Sequence, residues 1–383
     1  MVTTALAGTA NASGQASSAN GQASAAEAGV TGGNVADANI VDERVAENLM
    51  GLFLSGDGSL ARKPTATIEE VEAALFKRSK DFRDLTVDVS LLSMDEASGA
   101  LRIGGGGAGG GATAEAALQP HALGQLAGRL GIPANYLLRC EPELRANNVN
   151  RWLRDQQGEV MLRMDGEEVR AVLSTRYRPV DNLDLVRMVS KQVSKETQIR
   201  FEMTATHFEM QVVSRHGENG NDPLFGGVHI GNSEVGVACI SISGLIFRVI
   251  CLNGLIMGSG NHKISRRHIG NSASLNDIGG QVNRLIHAGH SAVERFKGTR
   301  AVHITDPAKV FERIVEHHDL SKDQHAAISY AYTVEPGLTL YHAINAVTRA
   351  GNSATLALEP RRQLQEVGGR MLEMAEKGDR WLG

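Results

Sequence analysis

Residues 199–213 read IRFEMTATHFEMQVV. Ile199, Phe201 and Met203 fall on one face of a first alternating run, and Phe208, Met210 and Val212 on one face of a second. A period of two puts successive side chains on opposite sides of a strand, so the two runs read as antiparallel neighbours. Just upstream, Leu183, Val186, Val189 and Val193 share one side of a helix capped by Asp181 or Asn182, and VRAVLS at 169–174 is strand-like. Downstream, strands are expected at 227–230 and 237–243. The second leads into an apolar segment, 245–252, whose state periodicity leaves open. From about Asp277 to Lys297 the chain is again helical.

Further out, residues 86–103 (TVDVSLLSMDEASGALRI) read as two short strands around a polar turn at 95–99. Leu123, Leu126, Ala127 and Leu130 repeat at helical spacing from His121, and Gly131 with Pro133 supplies the stop. A second helix starts near Ala134 and a third covers 141–155. This spacing also suits a DNA-reading helix-turn-helix, but any packed helical hairpin shows it, and only Asn135 and Arg139 stand as base contacts. Residues 307–381 look helical, with Leu364, Val367, Met371 and Met374 on one stripe. The plan is α+β: a central antiparallel strand meander with packed helices, a helical C-terminal third and a disordered N-terminal tail. The expected divisions are a low-complexity tail at 1–38, built of Ala, Gly, Ser, Thr and Asn, an α+β core at 39–306, and a helical region at 307–383. GGGGAGGG at 104–111 lacks the Lys-Ser or Lys-Thr of a phosphate cradle and reads as a flexible loop within the core.

The chain has 383 residues, 42% of them hydrophobic, enough for a full core. It contains no apolar run of membrane-spanning length and no secretory start, so a cytoplasmic location is expected. Cys140, Cys239 and Cys251 form no CxxC pair and read as buried free thiols. Of the thirteen histidines, His287 with His290, His317 with His318 and His262 with His268 invite a metal, but no HExxH is present and no third ligand stands at metal-site spacing. No GxSxG elbow occurs, and Glu141, Glu143, Glu167 and Glu168 read as solvated element ends. No catalytic residue, metal or cofactor is expected.

Charge is more informative. Within a chain of net charge −4, residues 248–300 hold Arg248, Lys263, Arg266, Arg267, Arg284, Arg295, Lys297 and Arg300 against Asp277 and Glu294, a local excess of +6. Such an excess suits a polyanion, or a face balanced by acids from elsewhere in the fold. Aromatic residues make up only 4%, so contact with a nucleic-acid backbone would dominate over base stacking.

The phrases LGQLAGRLGIPANYLLR (123–139), NNVNRWL (147–153), AVLSTRYRPVDNLDLV (171–186), HIGNSEVGVACISISGLIFRVICLNGLI (229–256) and LYHAINAVTRAGN (340–352) occur in this order. Together they resemble the phage and plasmid proteins grouped as domain of unknown function family 932, over about residues 80–375. The resemblance implies a mobile-element protein made in a bacterial cytoplasm and supplies no catalytic set. The central order of helix, strands and basic helical segment also looks like the core of Rad-type single-strand annealing proteins. That likeness implies single-stranded DNA and a second copy of the chain as partners. Within the shared phrases Arg176 and Arg178 would grip phosphates as bidentate forks. Asn232, Glu234 and Asn253, beside Gly231, Gly236 and Gly254, read as turn-making and capping residues. The expected DNA-binding set is thus Arg176, Arg178, Arg248, Lys263, Arg266, Arg267, Arg284, Arg295, Lys297 and Arg300. The competing expectation is a non-catalytic protein-interaction or regulatory module acting through the C-terminal third.

Overall fold

The structure is a computed structural model and describes residues 65–104, 113–195, 197–218, 222–248, 253–258, 262–270 and 275–378. The expected tail at 1–38, and the expected loop at 104–111 apart from Gly104, lie outside these residues. Along the described chain come β1 (Thr65–Thr67), α1 (Ile68–Ser79), β2 (Phe82–Asp88), β3 (Leu92–Met94), β4 (Leu101–Ile103) and β5 (Ala114–Leu118). Three helices follow, α2 (Pro120–Leu130), α3 (Ala134–Arg139) and α4 (Pro142–Leu153), then β6 (Glu159–Asp165), β7 (Glu168–Ser174) and α5 (Asn182–Ser190). The meander is β8 (Gln198–Met203), β9 (Phe208–Glu218), β10 (Leu224–Asn232), β11 (Ile240–Arg248), β12 (Asn253–Ile256) and β13 (Lys263–Arg266). Last come α6 (Leu275–Gly298), α7 (Pro307–His317), α8 (Lys322–Val334), α9 (Leu340–Ala350) and α10 (Leu358–Glu376).

Two sheets result. The larger has the order β1-β8-β9-β10-β11-β12, with β13 also paired to β11, and every pairing is antiparallel. The stretch at 199–213 forms its second and third strands, with Ile199 opposite Val212, Phe201 opposite Met210 and Met203 opposite Phe208. The smaller sheet has the order β2-β6-β7-β5-β4-β3, and its β5–β7 pairing is parallel. The α+β plan with a helical C-terminal part therefore holds.

One face of the larger sheet is apolar, carrying Ile199, Phe201, Phe208, Met210, Val212, Val228, Ile230, Ile240, Ile242 and Ile264. α1, α5 and α6 cover it, α6 through Ile278, Val282, Leu285 and Ile286 at helical spacing. Each such aliphatic side chain contributes about 1.5–3 kcal/mol on burial. α6 reaches the strands because glycines meet there: a Cβ at Gly226 would lie 2.3 Å from the His290 ring, and one at Gly289 would lie 2.6 Å from the Gly227 carbonyl. The C-terminal helices close a second core through Val310, Phe311, Ile314, Ile328, Leu340, Ile344, Val347, Leu364, Val367 and Met371. The smaller sheet buries its own core under α2 to α4.

Several local expectations shift. Of the undecided segment 245–252, residues 245–248 are the end of β11 and 249–252 lie outside the described residues; Asn253 then opens β12, which pairs back on β11. α5 stops at Ser190, so Val193 packs against the core from beyond the helix. The strands expected at 86–103 become the end of β2 plus a β3–β4 hairpin, whose turn uses Gly99 at φ 71°. Among the described residues no helix is long and apolar enough to cross a membrane.

Candidate nucleic-acid interface

The ten basic residues expected to meet DNA divide into two groups. Arg248 is buried, its Nε donating to Asp222 Oδ1 at 2.6 Å and its two terminal nitrogens to Glu335 at 2.6 and 2.7 Å. Arg300 donates to the other oxygen of Asp222 at 2.8 Å and to the Tyr341 hydroxyl at 3.1 Å, and Tyr341 itself donates to Asp222. Partial burial pushes the Asp222 carboxyl up, but the hydrogen bonds from Arg248 and Tyr341 outweigh it and hold the group below its usual range. The Arg248 hydrogen bonds do the same for Glu335. Lys263 pairs with Glu366 at 3.2 Å, Arg295 with Glu376 at 3.0 Å and Lys297 with Glu294 at 2.7 Å. The basic excess of 248–300 is thus met in large part by Asp222, Glu335, Glu366 and Glu376, acids from outside that segment.

The second group is exposed, as is Arg300 of the first. Arg284 stands on α6, while Arg176, Arg178, Arg266 and Arg267 are brought to one edge although ninety residues of sequence separate the pairs. The Arg178 amide donates to the His268 carbonyl at 2.8 Å, and Tyr177 forms an antiparallel bridge with Ile269. Alternation does the rest. Tyr177 turns inward, stacks on the buried His268 ring with centroids 5.0 Å apart and donates its hydroxyl to the Ser233 carbonyl at 3.0 Å. Arg176 and Arg178 on either side of it are left at the surface. Burial pushes the Tyr177 phenol up and the His268 imidazole down, so both stay neutral beside the arginines.

Behind this edge lies a buried joint between the two sheets. Arg163 donates to Asp84 at 2.9 Å, to Asp181 at 2.6 Å and to the Glu234 carbonyl at 2.7 Å. Arg170 meets one oxygen of Glu234 at 2.7 Å, and the other accepts the Asn182 amide at 2.7 Å. Of the two expected caps of α5, Asn182 is the first helical residue and Asp181 stands at the cap position but makes no side-chain capping bond; Asp181 neutralises Arg163 while Glu234 caps the helix from the β10–β11 connection. Asn232 donates to the Val180 carbonyl at 3.0 Å and to Asn182 Oδ1 at 2.9 Å. Asn232 and Glu234 thus brace the start of α5.

A further polar constellation escapes the sequence reading. The second face of the larger sheet carries Arg200, Glu202, Glu209, Gln211, His229 and Ser243, all buried. α10 lies over them: Arg361 pairs with Glu202, Arg362 with Glu209 at 3.4 Å and Glu366 with Lys263, and Gln211 donates to Gln365 at 3.3 Å. Burial pushes the Glu366 carboxyl up, but the charges of Arg362 and Lys263 hold it below its usual range. Burying charges is costly unless they are paired, and perturbed ionisable groups beside a cleft mark candidate sites. Such a cleft, of about 170 Å³, opens here among His207, Glu209, Asn232, Cys239, Lys263 and Arg362. Cys239 is half-buried at this cleft, whereas Cys140 is buried as expected; Cys251 lies outside the described residues. The legible signal was the polar half of the alternation in 199–213, which reads equally as a solvated face.

Among the described residues no three His, Cys, Asp or Glu side chains are grouped to hold a metal ion. No curated protein and no solved structure matches the chain. Residues 169–357, from the second residue of β7 to the residue before α10, match the family described as Domain of unknown function (DUF932).

Proposed function

We propose that the chain binds the backbone of single-stranded DNA along the edge where Arg176 and Arg178 meet Arg266 and Arg267. The observation that carries this reading is the main-chain pairing of Arg178 with His268, which gathers four exposed guanidinium groups from two distant segments. Guanidinium forks suit phosphate oxygens bidentately, and their counterion release gives affinity without sequence preference. Of the remaining expected contacts, Arg284 is exposed and stays in the set. Arg248, Lys263, Arg295, Lys297 and Arg300 act through their carboxylate partners on the fold. No catalytic step is part of the proposal, and the chain is read as a phage- or plasmid-type protein of a bacterial cytoplasm.

An annealing role extends the same reading. One edge of four arginines offers few phosphate contacts, and repeating it around a cyclic or helical homo-oligomer raises effective concentration without new contacts. The test is binding of a labelled oligothymidylate by the full chain against salt concentration. Four contacts give a log–log slope near −3, from roughly 0.7 per single-strand phosphate. The double variant Arg176→Glu, Arg178→Glu weakens binding and flattens the slope. Absence of binding at low salt overturns the proposal, and a chain that stays monomeric with DNA overturns the annealing extension.

A second reading, a protein-interaction module, draws on Tyr330 and Val334, one helical turn apart on α8, with Leu338 just beyond. They are 73%, 47% and 51% exposed. If that surface is the working one, Tyr330→Glu with Val334→Glu abolishes partner capture from host cells and leaves oligonucleotide binding unchanged.

A further inference from the structure

Tyr136, Leu144 and Trp152 are 45%, 50% and 50% exposed, a concentration of uncovered apolar area on α3 and α4. The helical repeat collects it there. On α4, Ala146, Val149 and Leu153 face the core, which leaves Leu144, Asn148 and Trp152, spaced four residues apart, on the outer side. Asn148 ties the two helices together, its Nδ2 donating to the Leu144 carbonyl at 2.7 Å and to the Tyr136 hydroxyl at 3.3 Å. Arg145 fixes the end of α3 from the same helix, donating to the Leu137 and Cys140 carbonyls at 3.0 Å each. The Tyr136 ring and the Trp152 indole thus share one surface. Exposed arginines border it: Arg139, three residues after Tyr136 on α3, Arg151 on α4 and Arg129 near the end of α2. Against them stand Asp155, 3.5 Å from Arg151, and Glu141 in the turn before α4, while Glu143 falls on the opposite side of α4 from Trp152.

We infer that Tyr136 and Trp152 stack bases of the strand whose phosphates the arginine edge holds. The inference rests on the strand-binding reading and adds a base contact to it. α2 links the two surfaces. Gln125 on α2 donates to the Val235 carbonyl at 2.8 Å, and a Cβ on the next residue, Gly236, would stand 3.4 Å from the Tyr177 ring, between Arg176 and Arg178. One residue back along α2, a Cβ at Gly124 would lie 3.9 Å from Ala134, the first residue of α3. A strand gripped at Arg176 and Arg178 therefore reaches α3 by crossing a single helix, about 10–12 Å wide. Every base has a flat face that an exposed ring can cover, so such stacking tolerates any sequence, as the phosphate contacts do. A protein face laid over the same rings would bury Arg139 and Arg151 and would need acids to meet them, whereas a nucleic acid brings its own phosphates.

The experiment compares, on the full chain at one low salt concentration, an oligothymidylate with an abasic strand of equal length. Both measurements are repeated with Trp152→Ala and Trp152→Phe. In a second arm, the oligomer carrying bromouracil in place of thymine is crosslinked by light to the unaltered chain, and the attached peptide is identified by mass spectrometry. The abasic strand is expected to bind about tenfold more weakly, and the crosslinked peptide to contain Tyr136 or Trp152. Trp152→Ala shrinks the difference between the strands and leaves the salt slope unchanged, since the arginine edge is intact, and Trp152→Phe restores the difference. Should Trp152→Ala fail to fold, the abasic comparison and the crosslink on the unaltered chain still decide. Equal affinity for the two strands, or crosslinks confined to other peptides, overturns the inference and leaves strand binding standing. A homo-oligomer that dissociates in Trp152→Ala while the difference between strands persists assigns the surface to a second copy of the chain and overturns it too. If neither strand binds, the strand-binding reading falls and base stacking falls with it.

Discussion

Arg248 carries the largest gap between what a residue type suggests and what its neighbours make of it. An arginine in a basic segment reads as a phosphate contact, yet here Asp222 and Glu335 hold all three of its guanidinium nitrogens. Removing it takes both Arg248 hydrogen bonds from Glu335 and leaves Asp222 to Arg300 and Tyr341, so Arg248→Ala is expected to destabilise the chain by about 3 kcal/mol, seen as an earlier urea midpoint. Oligonucleotide affinity of the folded fraction should not change. Titration follows from the same contacts. The folded values of Asp222, Glu335 and Glu366 lie below 3.8, 4.5 and 4.5. Their contribution is therefore complete above that range and is lost as pH falls through it. Histidine adds an earlier phase: burial, with the charges of Arg370 and His317, lowers His318 from 6.5 to about 4. Between those values the unfolded chain binds the extra proton, so stability should decline as pH drops from 6.5 toward 4. Thermal melts across this interval check the sign, and His318→Asn should shallow the decline.

The apolar faces of elements were legible because each repeats a local period. The alternation in 199–213 located β8 and β9, and the stripe Leu364, Val367, Met371 and Met374 located the inner side of α10, with the first three buried and Met374 half-buried. Residues 245–248 were not legible, since a central strand buried on both faces reads as a continuous apolar run with no period to find. The strand ends where Arg248 finds its acids, which lie in connections, Asp222 before β10 and Glu335 just after α8. The glycines of α6 make a second test at this scale. Gly289 sits against the strand carbonyls of Gly227 and Leu245, whereas a Cβ at Gly280 would meet nothing within 4 Å. Gly289→Ala is thus expected to cost about 1–3 kcal/mol through overpacking. Gly280→Ala, on the same helix, should gain up to about 1 kcal/mol from helix propensity. Parallel denaturation curves of the two variants check the contrast.

At the scale of the whole molecule, distance along the chain sets what the sequence concealed. The arginine edge joins residue 178 to residue 268, and the cleft needs strands from the middle of the chain and a helix from its end. No local pattern announces such meetings, and the +6 excess of 248–300 lost its meaning once distant acids were folded against it. The cover of the polar sheet face has a temporal side. Glu202 meets Arg361, 159 positions later, and Gln211 meets Gln365, 154 positions later. During synthesis the meander therefore leaves the ribosome well before the helix that neutralises it. Until then Glu202 and Glu209 remain hydrated on an open strand surface, and long-range closures of this kind are slow. The nascent chain thus passes through an interval in which the apolar face of its larger sheet can pack while the opposite face still waits, making the arrival of α10 the step that closes that face.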